Sequence, residues 1–337
     1  MSNLNDLTAL ALPSGSELVA DATESRLSLS LDGQPLVRLR LNRDGTGPIQ
    51  LDERFALPPG LALWAACYWL FAREPERQQL LWQLDQPPTE ALLSGLLVST
   101  EVAGEYRCER TLFWQLPQPW LGTSLSGSYP QQMVISQGKR HPLRPVKPRG
   151  EVYRRFDARL GAWISLRTLE IEQDLARFNR WQNSPRVASF WQEEGSLEQH
   201  REYLSKLDAD PHTLTLIGCF DDQPFAYFEA YWAKEDRIAP FYDVDNYDRG
   251  IHMLVGEENH RGPHKVASWL SALVHYLFLD DPRTQRVVAE PRADNAKMIG
   301  HMQNQCFHCE KEFDFPHKRA ALMILGRERF FDRCKLA

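Results

Sequence analysis

Residues 247–265 read "YDRGIHMLVGEENHRGPHK". Their middle, residues 251–255, is apolar except for His252 and has the length of a short buried strand. The strand runs out through Gly256 and a charged turn into Arg261, Gly262, Pro263, His264 and Lys265, where the spacing of a long helix begins. Such a junction suits an anion. The first turn of a helix presents unpaired backbone N–H groups and the positive end of its dipole, and a glycine lets the backbone approach a ligand closely. A glycine before a helix also occurs in plain loops, so the flanking elements decide the reading.

Upstream, residues 162–170 read as a strand, and residues 171–183 and 196–207 as helices, the second with Ser196 as N-cap. "TLTLIGCF" (213–220) and "PFAYFEAYW" (224–232) are strands joined by a tight turn. Downstream come a helix over 264–278, a strand over 284–290, a helix over 292–304, and strands over 306–313 and 319–325. This order predicts an α/β (α+β) fold: a mixed, mostly antiparallel sheet with helices on both faces. Residues 131–150 hold three prolines, six Lys, Arg or His and no acid, which predicts a stiff basic linker without regular ladders. Residues 1–130 then form a smaller α+β domain: a hairpin through Asp32-Gly33, helices over 61–71 and 90–98, and a strand over 106–116. No catalytic constellation is evident there. The expected domains are 1–130, the linker 131–150, and 151–337.

The 337 residues carry a formal charge of −6, which argues against nucleic-acid binding. The N-terminus lacks a basic n-region, and no apolar stretch is long enough to span a bilayer, so a cytoplasmic protein is expected. The six cysteines are then free thiols. Cys306 and Cys309 form one CxxC without a second ligand pair at suitable spacing, and no metal site is expected.

The strand–RGxxx–helix order resembles the GCN5-related N-acetyltransferase (GNAT) superfamily, which binds the coenzyme A pyrophosphate at this turn. Of that motif's [QR]xxGx[GA] positions, here Asn259, Gly262 and His264, only the glycine matches. Five further stretches in order, "GEVYRRFD", "LIGCFDDQPFAYFEAYWAKEDRI", "YDRGIHMLVGEENHRGPH", "LFLDDPRTQRVVAEPRADN" and "EFDFPHKRAALM", resemble the siderophore-biosynthetic acyltransferases. That group includes aerobactin-type N6-hydroxylysine acetyltransferases and the acyltransferases of putrebactin-, bisucaberin- and alcaligin-type pathways. The resemblance covers residues 150 to about 333.

The resemblance implies transfer of an acyl group from acyl-CoA, succinyl-CoA or acetyl-CoA, to an N-hydroxylated amine. The acceptor would be an N-hydroxydiamine or, alternatively, N6-hydroxylysine; a non-catalytic acyl-CoA-binding partner of a siderophore synthetase is the rival reading. A siderophore synthetase or an N-monooxygenase is the implied protein partner. A lysine-type amine, with a pKa of ~10.4, is protonated at neutral pH. An N-hydroxylamine is much less basic, so the enzyme needs positioning, a proton acceptor after attack, and donors to the thioester oxygen. The family's "DxGxH" histidine corresponds to His252, after Asp248 and Gly250. Its removal is expected to cost turnover more than stability. The family's "EPDxxN" acid is replaced by Arg292 in "EPRADN". Asp294 either takes over the acid role or caps a helix, and Asn295 would contact the pantetheine arm or the acceptor. Met253, Leu254, Val255, Arg261, Gly262, Pro263, His264 and Lys265 would hold acyl-CoA. Trp191, Glu229, Trp232, Asp248 and Glu290 are candidates for the acceptor. A succinyl carboxylate would find Lys234, Arg237, Arg292, Lys318 or Arg319.

Overall fold

The structure is a computed structural model and describes residues 8–42, 47–54, 58–122, 131–333 and 335–336, without the side chain of Arg54. The chain divides into two compact units: Met1–Trp120 with Arg155–Ala162 and Lys335–Ala337, and Leu121–Arg154 with Trp163–Cys334.

The first unit contains strands β1 (Ala9–Ala11), β2 (Glu17–Ala22), β3 (Arg26–Leu31), β4 (Gln34–Arg40) and β5 (Ile49–Arg54), then helix α1 (Pro59–Arg73) and β6 (Gln79–Gln83). Helix α2 (Thr89–Leu93), β7 (Val98–Ser99), β8 (Glu105–Glu109) and α3 (Arg110–Phe113) complete it. Asp32 and Gly33 both have positive φ in the β3–β4 turn, as the expected hairpin requires. Two expectations are corrected. The helix over 90–98 stops at Leu93, because Gly95 turns the chain at φ +79°. The strand over 106–116 ends at Glu109 and gives way to the α3 turn, which buries Phe113.

The expected linker is not free of ladders. Strands β9 (Met133–Ser136) and β10 (Lys139–Pro142) pair antiparallel there. The prolines spare the ladder because Pro142 closes it and Pro145 and Pro148 lie beyond.

The second unit's sheet has the order β11-β12-β13-β14-β15-β16-β18-β17. Its strands are β11 (Glu151–Asp157), β12 (Ala162–Thr168), β13 (Thr213–Phe220), β14 (Gln223–Trp232), β15 (Arg249–Val255), β16 (Arg286–Ala289), β17 (His308–Asp314) and β18 (Arg319–Gly326). Helices α4 (Ile171–Gln182), α5 (Pro185–Trp191) and α6 (Leu197–Ala209) follow β12; α7 (Pro263–Asp280) follows β15, α8 (Ala296–Asn304) follows β16, and α9 (Arg327–Arg333) follows β18. Helix α6 starts with the Ser196–Gln199 capping box. Helix α8 starts four residues later than the sequence pattern predicts: Arg292 bridges to Ala320, and Asn295 caps the helix by accepting from Met298 N–H. Alternation along β14 sorts the faces. Tyr227 packs with Phe178 of α4 and Leu204 of α6, while Phe228 stacks on Trp269 of α7. The mixed, mostly antiparallel sheet with helices on both faces is therefore present.

The first sheet, of order β1-β2-β3-β4-β5-β6-β8-β7, repeats this plan strand for strand. In each, one parallel pair, β5–β6 or β15–β16, spans a helical crossover, and the last two strands return in inverted order. The pairs are short in both: Ile49↔Trp82 and Gln50↔Gln83, against Arg249↔Val287 and Gly250↔Val288. Among the described residues no helix is long and apolar enough to cross a membrane.

Candidate active site

After Gly250 and Val288 the parallel ladder stops, so β15 and β16 diverge. A cleft with a cavity volume of about 1160 Å³ opens there, lined by Ile251, His252, Met253, Leu254 and Val255 on one side and Ala289, Glu290 and Pro291 on the other.

His252 stands opposite Glu229 in the β14–β15 register. Its Nδ1 lies 2.7 Å from Glu229 Oε2, and its Nε2 lies 2.6 Å from Glu290 Oε1. Only an imidazolium donates from both ring nitrogens. Burial alone would pull its pKa down, but Glu290 and Glu229 outweigh that and push it up to about 10. Burial in turn raises Glu290, yet His252, Lys318 and Tyr231 hold that carboxyl down at about 2. Glu229 is likewise held below the usual carboxylate range: His252, Tyr203 and Tyr227 overcome its burial. The Tyr203 and Tyr227 hydroxyls donate to Glu229 Oε1 at 2.6 and 2.8 Å, and the Tyr231 hydroxyl donates to Glu290 Oε2 at 2.7 Å. The His252 side chain is 22% exposed against 6% for Glu229 and 0% for Glu290, so it is the most open member of the three at the cleft.

Two glycines make room for this arrangement. A Cβ at Gly250 would lie 1.9 Å from the ring of Tyr231, and a Cβ at Gly256 would lie 2.1 Å from Trp181. The Trp181 indole donates to Glu257 and fixes the turn after β15.

At that turn Gly262 has φ +117° and starts α7, with Pro263 at its first position and no side chain capping its free amides. Arg261 and Gly262 line the cleft; Pro263, His264 and Lys265 are not among its lining residues. Lys265 instead lies over the Phe220 ring at 4.3 Å. Arg186 of α5 reaches the same turn, donating to the carbonyls of Val255 and Gly256 at 2.6 and 3.3 Å.

Of the expected acceptor residues, Trp191 lines the cleft with its ring 6.4 Å from that of His252. Trp232 lies elsewhere, its ring between the guanidinium groups of Arg144 and Arg249 at 4.2 and 4.1 Å. Asp248 is also outside the cleft lining: its buried carboxylate binds Arg286, the Tyr242 hydroxyl and the Asp245 N–H. Asp294 lines the cleft but is ion-paired with Arg292 at 2.6 Å, and the capping role belongs to Asn295, which also lines the cleft.

Sequence reasoning passed over Tyr203, Tyr227 and Arg186, and it placed Tyr231 beside His252 without giving it a role. For Tyr227 and Tyr231 a signal existed, since Tyr-x-Glu-x-Tyr puts both phenols on the face of Glu229. Among the described residues, His141, His212 and Glu235 could together face a metal ion. Arg144 already occupies both oxygens of Glu235, at 2.5 and 2.7 Å.

Residues 170–315 match the acetyltransferase (GNAT) domain family. The chain is 50% identical over 232 residues to a candidate lysine N-acyltransferase of Schizosaccharomyces pombe, covering 68% of this chain and 69% of that protein. It is 45% identical to an N(6)-hydroxylysine O-acetyltransferase of Escherichia coli, over 66% of this chain and 70% of that one. It is 42% identical to an N(5)-hydroxyornithine:cis-anhydromevalonyl coenzyme A-N(5)-transacylase of Beauveria bassiana, over 80% of this chain and 57% of that one. A solved structure of an uncharacterized Bacillus halodurans protein superposes with a TM-score of 0.52 at 29% identity, over 54% of this chain and 92% of that one. The divergent β15–β16 pair, the uncapped α7 turn and these relatives agree: the chain belongs to the GNAT acyltransferases of siderophore biosynthesis.

Proposed function

We propose that the protein transfers an acyl group from acyl-CoA to the nitrogen of an N-hydroxylated aliphatic amine and so forms a hydroxamate. The observation that carries this is the His252 imidazolium held between Glu229 and Glu290 where β15 and β16 diverge. The uncapped first turn of α7, with Arg261 and Arg186 beside it, suits the coenzyme's phosphates. The apolar edge from Met253 to Val255 suits its pantetheine arm.

A neutral hydroxylamine needs no base before it attacks the thioester. The nitrogen–carbon bond forms, the carbon–sulfur bond breaks, and one proton must pass from nitrogen to the departing thiolate. An imidazolium with a pKa near 10 does not take that proton at neutral pH. The adduct, far more acidic than an alkylammonium, gives it up to the departing thiolate, a stronger base than the buried Glu290 carboxylate, whose pKa is held at about 2. The Glu290–His252 pair is left unchanged by the transfer. The fixed positive charge of His252 also stabilises the developing oxyanion and thiolate.

The relatives named for hydroxylysine and hydroxyornithine support an N-hydroxylated amine as acceptor. An enzyme that hydroxylates the amine would precede this one, and a siderophore synthetase that consumes the hydroxamate would follow it. The test is thiol release from acetyl-CoA and succinyl-CoA, each paired with N-hydroxyputrescine, N-hydroxycadaverine, N6-hydroxylysine and the unhydroxylated parents. Release dependent on the hydroxylated acceptor is expected. Release with plain amines alone would overturn the reading.

A further inference from the structure

We infer that Arg237 and Lys318 form a carboxylate-binding subsite in the cleft, at the opposite end from the α7 turn. This rests on the functional reading above, because it assigns part of that same cleft.

Five cations were open to a substrate carboxylate from sequence, and their surroundings separate them. Lys234 donates to the Val244 carbonyl and does not line the cleft. Arg292 is paired with Asp294, and Arg319 with Glu312 and Asp314. Arg237 and Lys318 remain, and both line the cleft. The ion partner of Arg237 is Glu290 Oε1 at 3.9 Å, an oxygen already engaged by His252 at 2.6 Å. The Arg237 side chain is 52% exposed, so its donors are open to a ligand. Lys318 donates to the Glu290 carbonyl at 2.7 Å, and an ammonium keeps further donors beyond that bond.

The two cations sit over one aromatic ring. Arg237 is 5.4 Å and Lys318 5.5 Å from the centroid of Phe315, and His317 stacks on the same ring at 5.5 Å. His317 feels both: burial, then Arg237 and Lys318, depress its pKa. The nearest acid on the Arg237 loop, Asp236, is pushed up by burial and by Glu290, which weakens its claim on the cations. Facing them are Glu290 and, beyond His252, Glu229, both already bonded to the imidazolium.

Topology places this subsite relative to the coenzyme. The loop carrying Arg237 enters β15 at Arg249, and the α7 turn leaves it after Val255, with His252 between. A ligand that anchors its phosphates at the turn and its thioester near His252 therefore meets Arg237 beyond the reacting carbon. A carboxylate there comes from the tail of a dicarboxylic acyl group or from the acceptor. Arg237 supplies the planar two-pronged donor that carboxylates favour.

The experiment uses the full chain with Arg237→Met and Arg237→Lys. Acetyl-CoA and succinyl-CoA are each paired with N6-hydroxylysine and with N-hydroxycadaverine, which lacks the carboxylate. In Arg237→Met the ratio of kcat/KM for the carboxylate-bearing partner over its carboxylate-free analogue should fall by about 10- to 100-fold, mainly through KM. Arg237→Lys should recover part of that ratio. A fall confined to hydroxylysine assigns the carboxylate to the acceptor; one confined to succinyl-CoA assigns it to the acyl group. An equal loss in all pairs, or none, overturns the subsite. Calorimetric binding of the same four ligands to wild type and Arg237→Met reads the subsite without turnover. Selective weakening there sustains it even if wild type releases no thiol, which would instead overturn the proposed reaction.

Discussion

A histidine that donates from both ring nitrogens carries a charge, and the carboxylates of Glu229 and Glu290 hold His252 in that form. Its folded pKa of about 10 stands above the ordinary ~6.5. The stability it contributes is therefore complete below pH ~6.5 and is lost as pH rises through about 10. Glu290 works in the opposite sense: its contribution is complete above ~4.3 and is lost as pH falls through about 2. An NMR titration of the His252 ring should show imidazolium throughout the neutral range. Glu290→Gln should bring the midpoint down toward 6.5; a wild-type midpoint already near 6.5 would refute the charged pair. The same variant should lower kcat by about 10²–10³ through the loss of the His252 charge beside the reacting atoms, as single-turnover assays would show. The structure also revises the expectation for His252→Ala. Removing the imidazolium leaves two buried carboxylates facing a gap, an error that costs about 3 kcal/mol in comparable pairs. Denaturant unfolding should therefore show a loss of stability as well as of turnover.

At the scale of the elements, β14 and β15 were legible because both are apolar runs bounded by turns, and the register that pairs Glu229 with His252 follows from their antiparallel course. The Asp248, Gly250 and His252 spacing was also visible, but the role of the glycine was not. Tyr231 lies over Gly250 and reaches Glu290 from there, a contact between residues far apart in sequence. Gly250→Ala should force that ring aside and cost about 10- to 100-fold in kcat, the value of one hydrogen bond to a charged group, with little change in KM for acyl-CoA. Normal turnover by a folded Gly250→Ala protein would show that the phenol is dispensable. The basic stretch at 139–149 misled for a related reason: charge and proline look like solvent-facing linker. Instead, Lys139 donates to the carbonyls of Glu235 and Asp236, and Arg144 pairs with Glu235. The Lys147 ammonium donates to the carbonyls of Leu207, Asp208, Asp210 and Thr213 at 2.6–3.0 Å, around the C-terminal end of α6. Lys147→Met leaves those oxygens without their donor. It should lower stability by about 2 kcal/mol in urea unfolding; an unchanged midpoint would mean that water replaces the lysine without cost.

For the whole molecule, the repeated sheet plan raises the question of whether each unit can hold a coenzyme. Sequence gave no hint of the repeat, because topology is set by which strands pair, and different apolar sequences satisfy the same pairings. The parallel registers align the two sheets residue by residue. Gln50 takes the place of Gly250 and Gln83 that of Val288, so Asp52 stands where His252 does and Asp85 where Glu290 does. Asp52 is ion-paired with Arg40 at 2.7 Å, and no histidine occupies that strand. The three helices that follow β12, of which α5 and α6 wall the second unit's cleft with Trp191 and Tyr203, have no counterpart between β2 and β3, which join through residues 23–25. Around the divergent end of β5 and β6, Leu51, Trp82 and Leu84 face Leu63 of α1 across a cavity of about 20 Å³, room for little more than one water. Among the described residues the first unit thus keeps the strand plan of an acyltransferase without its histidine or a comparable cleft. Calorimetry with coenzyme A should give about one site per chain, and Gly262→Pro, which denies the α7 turn its positive φ, should abolish it. Two sites, or a site that survives this change, would place a coenzyme on the first sheet after all.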